Sequence, residues 1–141
     1  MNKKYFADAK KASLLSSDPN TQVGCVIVSD DKIVSVGYNC LPQNLKCEDY
    51  PLECRNGEFL DTKYPYILHS EAKAIVDAKC SLVGSDLYVT LFPCNECAKL
   101  IIQAGISNIY YLEDKYADTD IVKASKKMLE DSNVIFKQII L

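Results

Sequence analysis

The second half of the chain alternates between strand-type and helix-type segments. Residues 87–91, 109–112 and 134–140 are short apolar runs typical of buried strands, whereas 99–104 and 121–129 have helical character. Gly105 follows the first of these helices at the position of a C-cap. Such alternation favours parallel strands joined by helices that cross over a sheet. The pattern therefore predicts an α/β fold.

The first half predicts a helix followed by a hairpin. Apolar residues recur at helical spacing over 3–16, and Asp18-Pro19-Asn20 ends that pattern. Residues 23–28 and 33–38 are β-branched runs on either side of an Asp30-Asp31 turn, and 70–79 is rich in helix formers. We therefore expect a three-layer α/β/α sandwich with a five-stranded mixed sheet and helices on both faces.

Composition narrows the class of protein. A chain of 141 residues, 48% of them hydrophobic, can bury a core as a single domain spanning 1–141. The net charge is −3 and Arg55 is the single arginine, so the basic stripe of a nucleic-acid partner is missing. Seven cysteines, an odd number, together with the lack of an export signal or a membrane-length apolar run, predict a cytoplasmic protein without a membrane partner.

Residues 39–66 form a long connection without a clear period. The segment contains prolines, asparagines, charges and three cysteines. Connections of this length are more often functional than passive. We expect an active-site or regulatory loop.

Two short motifs carry the chemistry: His69-Ser70-Glu71, and Cys94 and Cys97 in a CxxC preceded by a proline. One histidine and two cysteines supply three zinc ligands and leave the fourth tetrahedral position open, as in catalytic sites. A CxxC alone is as often a structural zinc knuckle or a redox pair, and a lone histidine is as often structural. Their combination, with a glutamate at this offset, favours a catalytic zinc site.

The spacing of these residues is compatible with one site. Cysteines three apart at the opening of a helix share a face, and the helix dipole there favours thiolates. Glu71 is not needed as a ligand and can shuttle protons, first as base and then as acid. Water activated by zinc could then attack an amidine-like ring carbon and release ammonia.

The match extends beyond these motifs, because residues 18–24, 37–39, 60–66 and 91–106 resemble the deoxycytidylate (dCMP) deaminases of the zinc-dependent cytidine deaminase superfamily. The resemblance covers almost the full chain. It implies a cytidine deaminase-like fold, one catalytic Zn²⁺ per chain, and hydrolysis of dCMP to dUMP and ammonia for thymidylate synthesis. It further implies a homo-oligomer, usually a hexamer, activated by dCTP and inhibited by dTTP, with Mg²⁺ accompanying the allosteric nucleotide.

The resemblance assigns roles by position. Zinc would be held by His69, Cys94 and Cys97, with Glu71 as the catalytic proton shuttle. The substrate-binding residues would be Asn39 at the deoxyribose, Ser70 beside the pocket, and Lys115 and Tyr116 near the phosphate. The last two also fit a solvated loop with a core tyrosine.

Several residues depart from the family pattern. Ser70 stands where the family has alanine, and Lys73, where it has asparagine, is either an exposed helix residue or a cation turned toward the site. Cys40 and Asn44 replace glycines of a loop that binds the allosteric nucleotide. Because glycine permits backbone conformations that other residues do not, we expect weak or absent activation by dCTP.

The role of three cysteines and two other functional interpretations stay open. Cys40, Cys47 and Cys54 could hold a second, structural zinc, although free thiols fit better because no second histidine is available. A deaminase acting on dCTP, free cytidine or the wobble adenosine of tRNA is a second interpretation. A silent zinc protein that regulates by binding nucleotides is a third, and the intact Glu71 disfavours it.

Overall fold

The computed structural model describes all 141 residues and contains one five-stranded sheet. Its elements are α1 (Tyr5–Ser13), β1 (Gly24–Ser29), β2 (Lys32–Tyr38), α2 (Ser70–Asp77), β3 (Asp86–Leu91), α3 (Asn95–Ala104), β4 (Asn108–Glu113), α4 (Asp120–Asp131) and β5 (Ile135–Gln138). The strand order is β2-β1-β3-β4-β5. β1 is antiparallel to β2 and β3, whereas β4 is parallel to β3 and β5. The predicted mixed sheet is confirmed.

The hairpin between β1 and β2 closes through a two-residue turn. Ser29 pairs with Lys32, and the intervening Asp30 and Asp31 have φ angles of 51° and 61°. Two consecutive positive φ angles are those of a type I′ turn, which matches the twist of the strands and tolerates aspartate. The local sequence therefore sets the antiparallel start of the sheet.

Each face of the sheet has its own apolar cluster, because side chains alternate along a strand. Cys25 and Ile27 of β1 point into the larger cluster, which α2, α3 and α4 cover. Val26 and Val28 point into the smaller one, where Phe6 of α1 packs edge-on against a buried tyrosine of β3. Helices on both faces give the expected three layers.

The boundaries differ from the sequence-based ones at several places. Helix α1 is shorter than 3–16, because residues 15 and 16 are held by i→i−3 hydrogen bonds to Ala12 and Ser13. The long connection contains two short 3₁₀ turns, Cys47–Asp49 and Phe59–Asp61. No helix of this chain combines the length and the apolar character needed to cross a membrane.

Gly37 allows β2 to approach the start of α2. A Cβ at this glycine would overlap the backbone carbonyl oxygen of Ser70, the first residue of α2. We expect Gly37→Ala to lower the free energy of unfolding by about 1–3 kcal/mol, because the helix must shift to relieve the overlap. Urea denaturation measures the change, and Val36→Ala, at an exposed position of the same strand, is the control. An unchanged denaturation midpoint in Gly37→Ala would contradict the close packing of β2 on α2.

Candidate metal and catalytic site

The predicted metal ligands lie at the starts of two helices. His69 is the N-cap of α2, Cys94 is the N-cap of α3, and Cys97 lies in the first turn of α3. β3 ends two residues before Pro93 and so delivers the chain directly to Cys94. Neither N-cap side chain bonds a backbone N–H of its helix. Both are therefore free to face a common point.

The distances between these side chains fit a tetrahedral metal ion. The Nδ1 atom of His69 lies 3.4 Å from Sγ of Cys94 and 3.5 Å from Sγ of Cys97. All three ligand atoms lie within 4.8 Å of one another. Zn–S and Zn–N bonds of ordinary length at a tetrahedral angle place nitrogen and sulfur about 3.6 Å apart. The donor set and its spacing suit Zn²⁺.

The two thiols and the imidazole shift one another's pKa values. The hydrogen bond from Cys97, against the opposing effect of burial, lowers the pKa of Cys94 to about 4. The same hydrogen bond and burial raise the pKa of Cys97 well above its usual range. The contact with Cys94 also raises the pKa of His69, although burial opposes this. A divalent cation would replace protons at these groups.

Glu71 is buried beside the ligand set. It is 4% exposed, and burial raises the pKa of its carboxyl group, against lowering by the Ser70 hydroxyl and the charge at His69. The hydroxyl of Ser70, itself 1% exposed, donates a short hydrogen bond to Oε1 of Glu71. The family alanine could not make this bond. Ser70 therefore orients the carboxylate as well as keeping the backbone near the pocket.

A cavity of about 400 Å³ opens in front of these groups. Its lining includes six of the eight predicted site residues: Asn39, His69, Ser70, Glu71, Cys94 and Tyr116. Cys97 is buried behind the wall but within ligand distance of His69. Lys115 is not among the lining residues, and its ammonium group lies over the Tyr116 ring, 5.3 Å from the centroid.

The amide of Asn39 is held by backbone groups at the cavity wall. Its Oδ1 atom accepts a hydrogen bond of 2.8 Å from the N–H of Val23. Its Nδ2 atom donates a hydrogen bond of 2.7 Å to the carbonyl of Thr21. Each amide nitrogen carries two hydrogens, so one donor stays available to a ligand.

Three charged residues of the cavity wall were not among the predicted site residues: Asp18, Arg55 and Lys63. Asp18 and Lys63 form a buried ion pair whose side chains are 2% and 6% exposed. Both belong to segments that carry the family resemblance, and this resemblance was the only sequence evidence that could have pointed to them as site residues. Arg55 had a weaker signal, as the single arginine of a chain that otherwise uses lysine.

The position of Lys73 in the structure matches neither of the two predicted alternatives. Its ammonium group lies 2.7 Å from Oδ2 of Asp77 and 5.1 Å from the centroid of the Tyr38 ring. The side chain is 16% exposed and does not line the cavity. Lys73 is therefore a half-buried packing residue between α2 and β2, neither fully exposed nor turned into the site.

Cys40 and Asn44, the two residues that replace family glycines, differ in backbone conformation. Asn44 has a φ angle of 70°, so it adopts the left-handed conformation that glycine would supply, as asparagine often can. Cys40 pairs with Leu68 in an antiparallel bridge and does not have a positive φ. The remaining difference from glycine at residue 40 is a buried thiol side chain.

We expect metal analysis to return one zinc ion per chain. The three ligand residues described above are the one group of three that could hold an ion, whereas Cys40, Cys47 and Cys54 form no such group. The Cys97→Ser variant should lose most of its zinc, because the hydroxyl is a poor substitute for a thiolate ligand. Cys47→Ser, at an exposed position, is the control and should keep it. Two ions per chain would contradict this count.

An α/β/α sandwich that sets three metal ligands opposite a buried carboxylate, with an open cavity in front, is a metal-assisted hydrolase of the kind that acts on nucleobases. Residues 1–113 match the family model described as "Cytidine and deoxycytidylate deaminase zinc-binding region", and the chain belongs to this family.

Relatives from animals match over most of their length. A probable deoxycytidylate deaminase of Drosophila melanogaster is 46% identical over 95% of this chain and 70% of its own. The deoxycytidylate deaminase of Homo sapiens is 43% identical over 96% and 78%. Among solved structures, the dCMP deaminase of cyanophage S-TIM5, in complex with dCMP and dUMP, has a TM-score of 0.79 at 27% identity, covering 97% of this chain and 95% of that one. The cytidine deaminase-like fold is confirmed.

Proposed function

We propose that this protein hydrolyses dCMP to dUMP and ammonia, supplying dUMP for thymidylate synthesis, with a catalytic Zn²⁺ held by His69, Cys94 and Cys97. The observation that carries this is the buried Glu71 carboxylate beside the three ligands, at the wall of a cavity of nucleotide size. The animal relatives named deoxycytidylate deaminase and the phage enzyme bound to dCMP and dUMP support the choice of substrate.

Glu71 would perform the proton transfers. A zinc ion at the ligand set would lower the pKa of a water molecule toward neutrality. Glu71 accepts the proton of that water as its oxygen adds to C4 of the cytosine ring, and returns it to N3. Glu71 then transfers the second water proton to the amino group, which departs as ammonia. Atoms balance as cytosine plus water giving uracil plus ammonia.

Other wall residues would orient the nucleotide. The free N–H of Asn39 can donate to a hydroxyl of the deoxyribose, since its other amide groups are already held by the backbone. Phe92 and Leu91 line the apolar part of the cavity, so the ring enters a site with little free water. Tyr116, half exposed at the rim, offers a hydroxyl and a ring face to the substrate.

The test is the change in ultraviolet absorbance on deamination. Zinc-loaded protein is assayed in parallel with dCMP, CMP, dCTP, deoxycytidine and 5-methyl-dCMP. We expect turnover with the highest kcat/KM on dCMP. Preference for dCTP or for the nucleoside would replace the substrate but keep the reaction, and no turnover of any compound in zinc-loaded protein would overturn the proposed function.

We propose that the protein assembles as a homo-oligomer, and expect dCTP to activate it weakly or not at all. Cys40, 8% exposed, fills with its side chain a place that is glycine in the family loop for the allosteric nucleotide. Steady-state assays with and without dCTP and Mg²⁺ measure the effect, and Cys40→Gly should increase any activation. A large rise in affinity for dCMP on adding dCTP to the unchanged protein would contradict this expectation. Light scattering gives the mass of the assembly.

A further inference from the structure

The cavity wall carries one positively charged side chain without a carboxylate partner. Lys63 is paired with Asp18, and Lys115 lies outside the lining. Arg55 lines the cavity and takes part in none of the ion pairs of the chain. The acceptor of its side-chain hydrogen bond is neutral: Nη2 donates to Oγ1 of Thr21 at 3.4 Å. The guanidinium charge is therefore open to an anion that enters the cavity.

Strand pairing and hydrogen bonds link the segment of the metal ligand His69 to Arg55. The antiparallel bridge between Cys40 and Leu68 sets the preceding residue, Asn39, opposite His69. Asn39 donates to the carbonyl of Thr21, and the hydroxyl of Thr21 faces Arg55. A ligand with its base at the metal and its sugar at Asn39 would place its next group toward Arg55.

Two hydrogen bonds hold the residues that immediately precede Arg55. The carbonyl of Glu53 accepts from the side chain of Asn20 at 3.2 Å. The carbonyl of Cys54 accepts from the backbone N–H of Lys63 at 3.0 Å. Arg55 follows directly on these two anchored residues. Its side chain is thus exposed at the rim while its backbone is attached to the cavity wall.

We propose that Arg55 binds the 5′-phosphate of the substrate and selects a nucleoside monophosphate over the free nucleoside. This assignment rests on the proposed function. A guanidinium group can give two parallel hydrogen bonds to phosphate oxygens, which a lysine cannot match geometrically. The phosphate contact thereby moves from Lys115, the residue expected from the sequence, to an arginine of the long loop.

The experiment measures kcat/KM on dCMP and on deoxycytidine for the zinc-loaded protein and four variants. Arg55→Gln should lower kcat/KM on dCMP by about 10- to 100-fold, the value of charge-assisted hydrogen bonds, and leave that on deoxycytidine unchanged. Arg55→Lys should keep part of the preference for dCMP, because lysine retains the positive charge but not the two parallel hydrogen-bond donors of a guanidinium group. Lys46→Gln removes a charge from the same loop outside the cavity and should change neither value. Lys115→Gln tests the alternative contact.

Binding of dUMP and deoxyuridine by calorimetry gives a readout that does not depend on turnover. The unchanged protein should bind dUMP more tightly, and Arg55→Gln should lose most of that difference. Three outcomes would overturn the assignment and leave the proposed function standing. Arg55→Gln could weaken binding of dUMP and deoxyuridine equally, it could keep the preference for dUMP, or the preference could be lost in Lys115→Gln alone. An unchanged protein that processes neither substrate and binds neither product would overturn both.

Discussion

Replacement of Glu71 by glutamine is expected to lower turnover of dCMP by about 10²- to 10⁴-fold while zinc stays bound. The amide has nearly the same shape as the carboxylate and can still accept the hydrogen bond from Ser70. It cannot take a proton from water, however, and the proposed reaction requires this group to accept and return protons. Steady-state rates and the zinc content of the same sample are the two measurements.

The control is Glu96→Gln. Glu96 lies in the first turn of α3 beside the metal ligands, but it is 70% exposed and pairs with Lys99. Both rate and zinc content should be unchanged. Retained turnover in Glu71→Gln would remove the assignment of the shuttle, and a joint loss of zinc and turnover would make Glu71 part of the metal site instead.

The second large effect concerns the buried ion pair. Asp18→Asn should lower the free energy of unfolding by about 3–5 kcal/mol, because it leaves the ammonium group of Lys63 buried without a counter-charge. The amide keeps an oxygen that can accept the backbone N–H groups of Asn20 and Thr21, as Asp18 does. The change therefore isolates the charge. Urea denaturation at neutral pH is the measurement.

Lys63→Met should be less costly, since the Asp18 carboxylate keeps its two backbone donors. The double variant should lose less than the sum of the single losses, because it buries no unpaired charge. Lys127→Met removes a fully exposed pair with Asp131 and should produce no measurable change. Simple additivity of the two single losses would show that the pair does not contribute as a unit.

The same pair predicts a dependence on pH. Burial alone would raise the pKa of Asp18, but the hydrogen bonds from Lys63 and from two backbone N–H groups outweigh it and lower the pKa below 3.8. A lowered pKa means that the carboxylate stabilises the fold fully above 3.8 and stops doing so as the pH falls through the lower folded value. The deficit of Asp18→Asn should accordingly shrink in strongly acidic solution.

The elements and the metal ligands could be predicted because their signals are local. Strand alternation, the Asp30-Asp31 turn and the C-cap at Gly105 each depend on a few consecutive residues. The metal ligands depend on short spacings within two helix starts. Such features survive in one sequence without knowledge of the tertiary fold.

The rest of the cavity depends on contacts between distant segments. Asp18 and Lys63 are 45 residues apart, and nothing in the pattern around Lys63 shows that its ammonium group is buried. Arg55 lines the cavity from a loop that is hydrogen-bonded to the turn containing Asn20, a contact between segments far apart in the chain. The left-handed φ of 70° at Asn44 likewise belongs to the folded loop, and residue identity alone did not predict it.

His69 and Cys94 each open a helix without capping it. An ion bound between them would fasten the first turns of α2 and α3 to one point, which backbone hydrogen bonds there do not do alone. Affinity for the ion and order in those turns then become one linked equilibrium, in which each strengthens the other by the same amount. Loss of the metal would thus reduce the order of the helix turn that carries Glu71. The position of the proton shuttle, and not only the occupancy of the metal site, would then depend on metal supply.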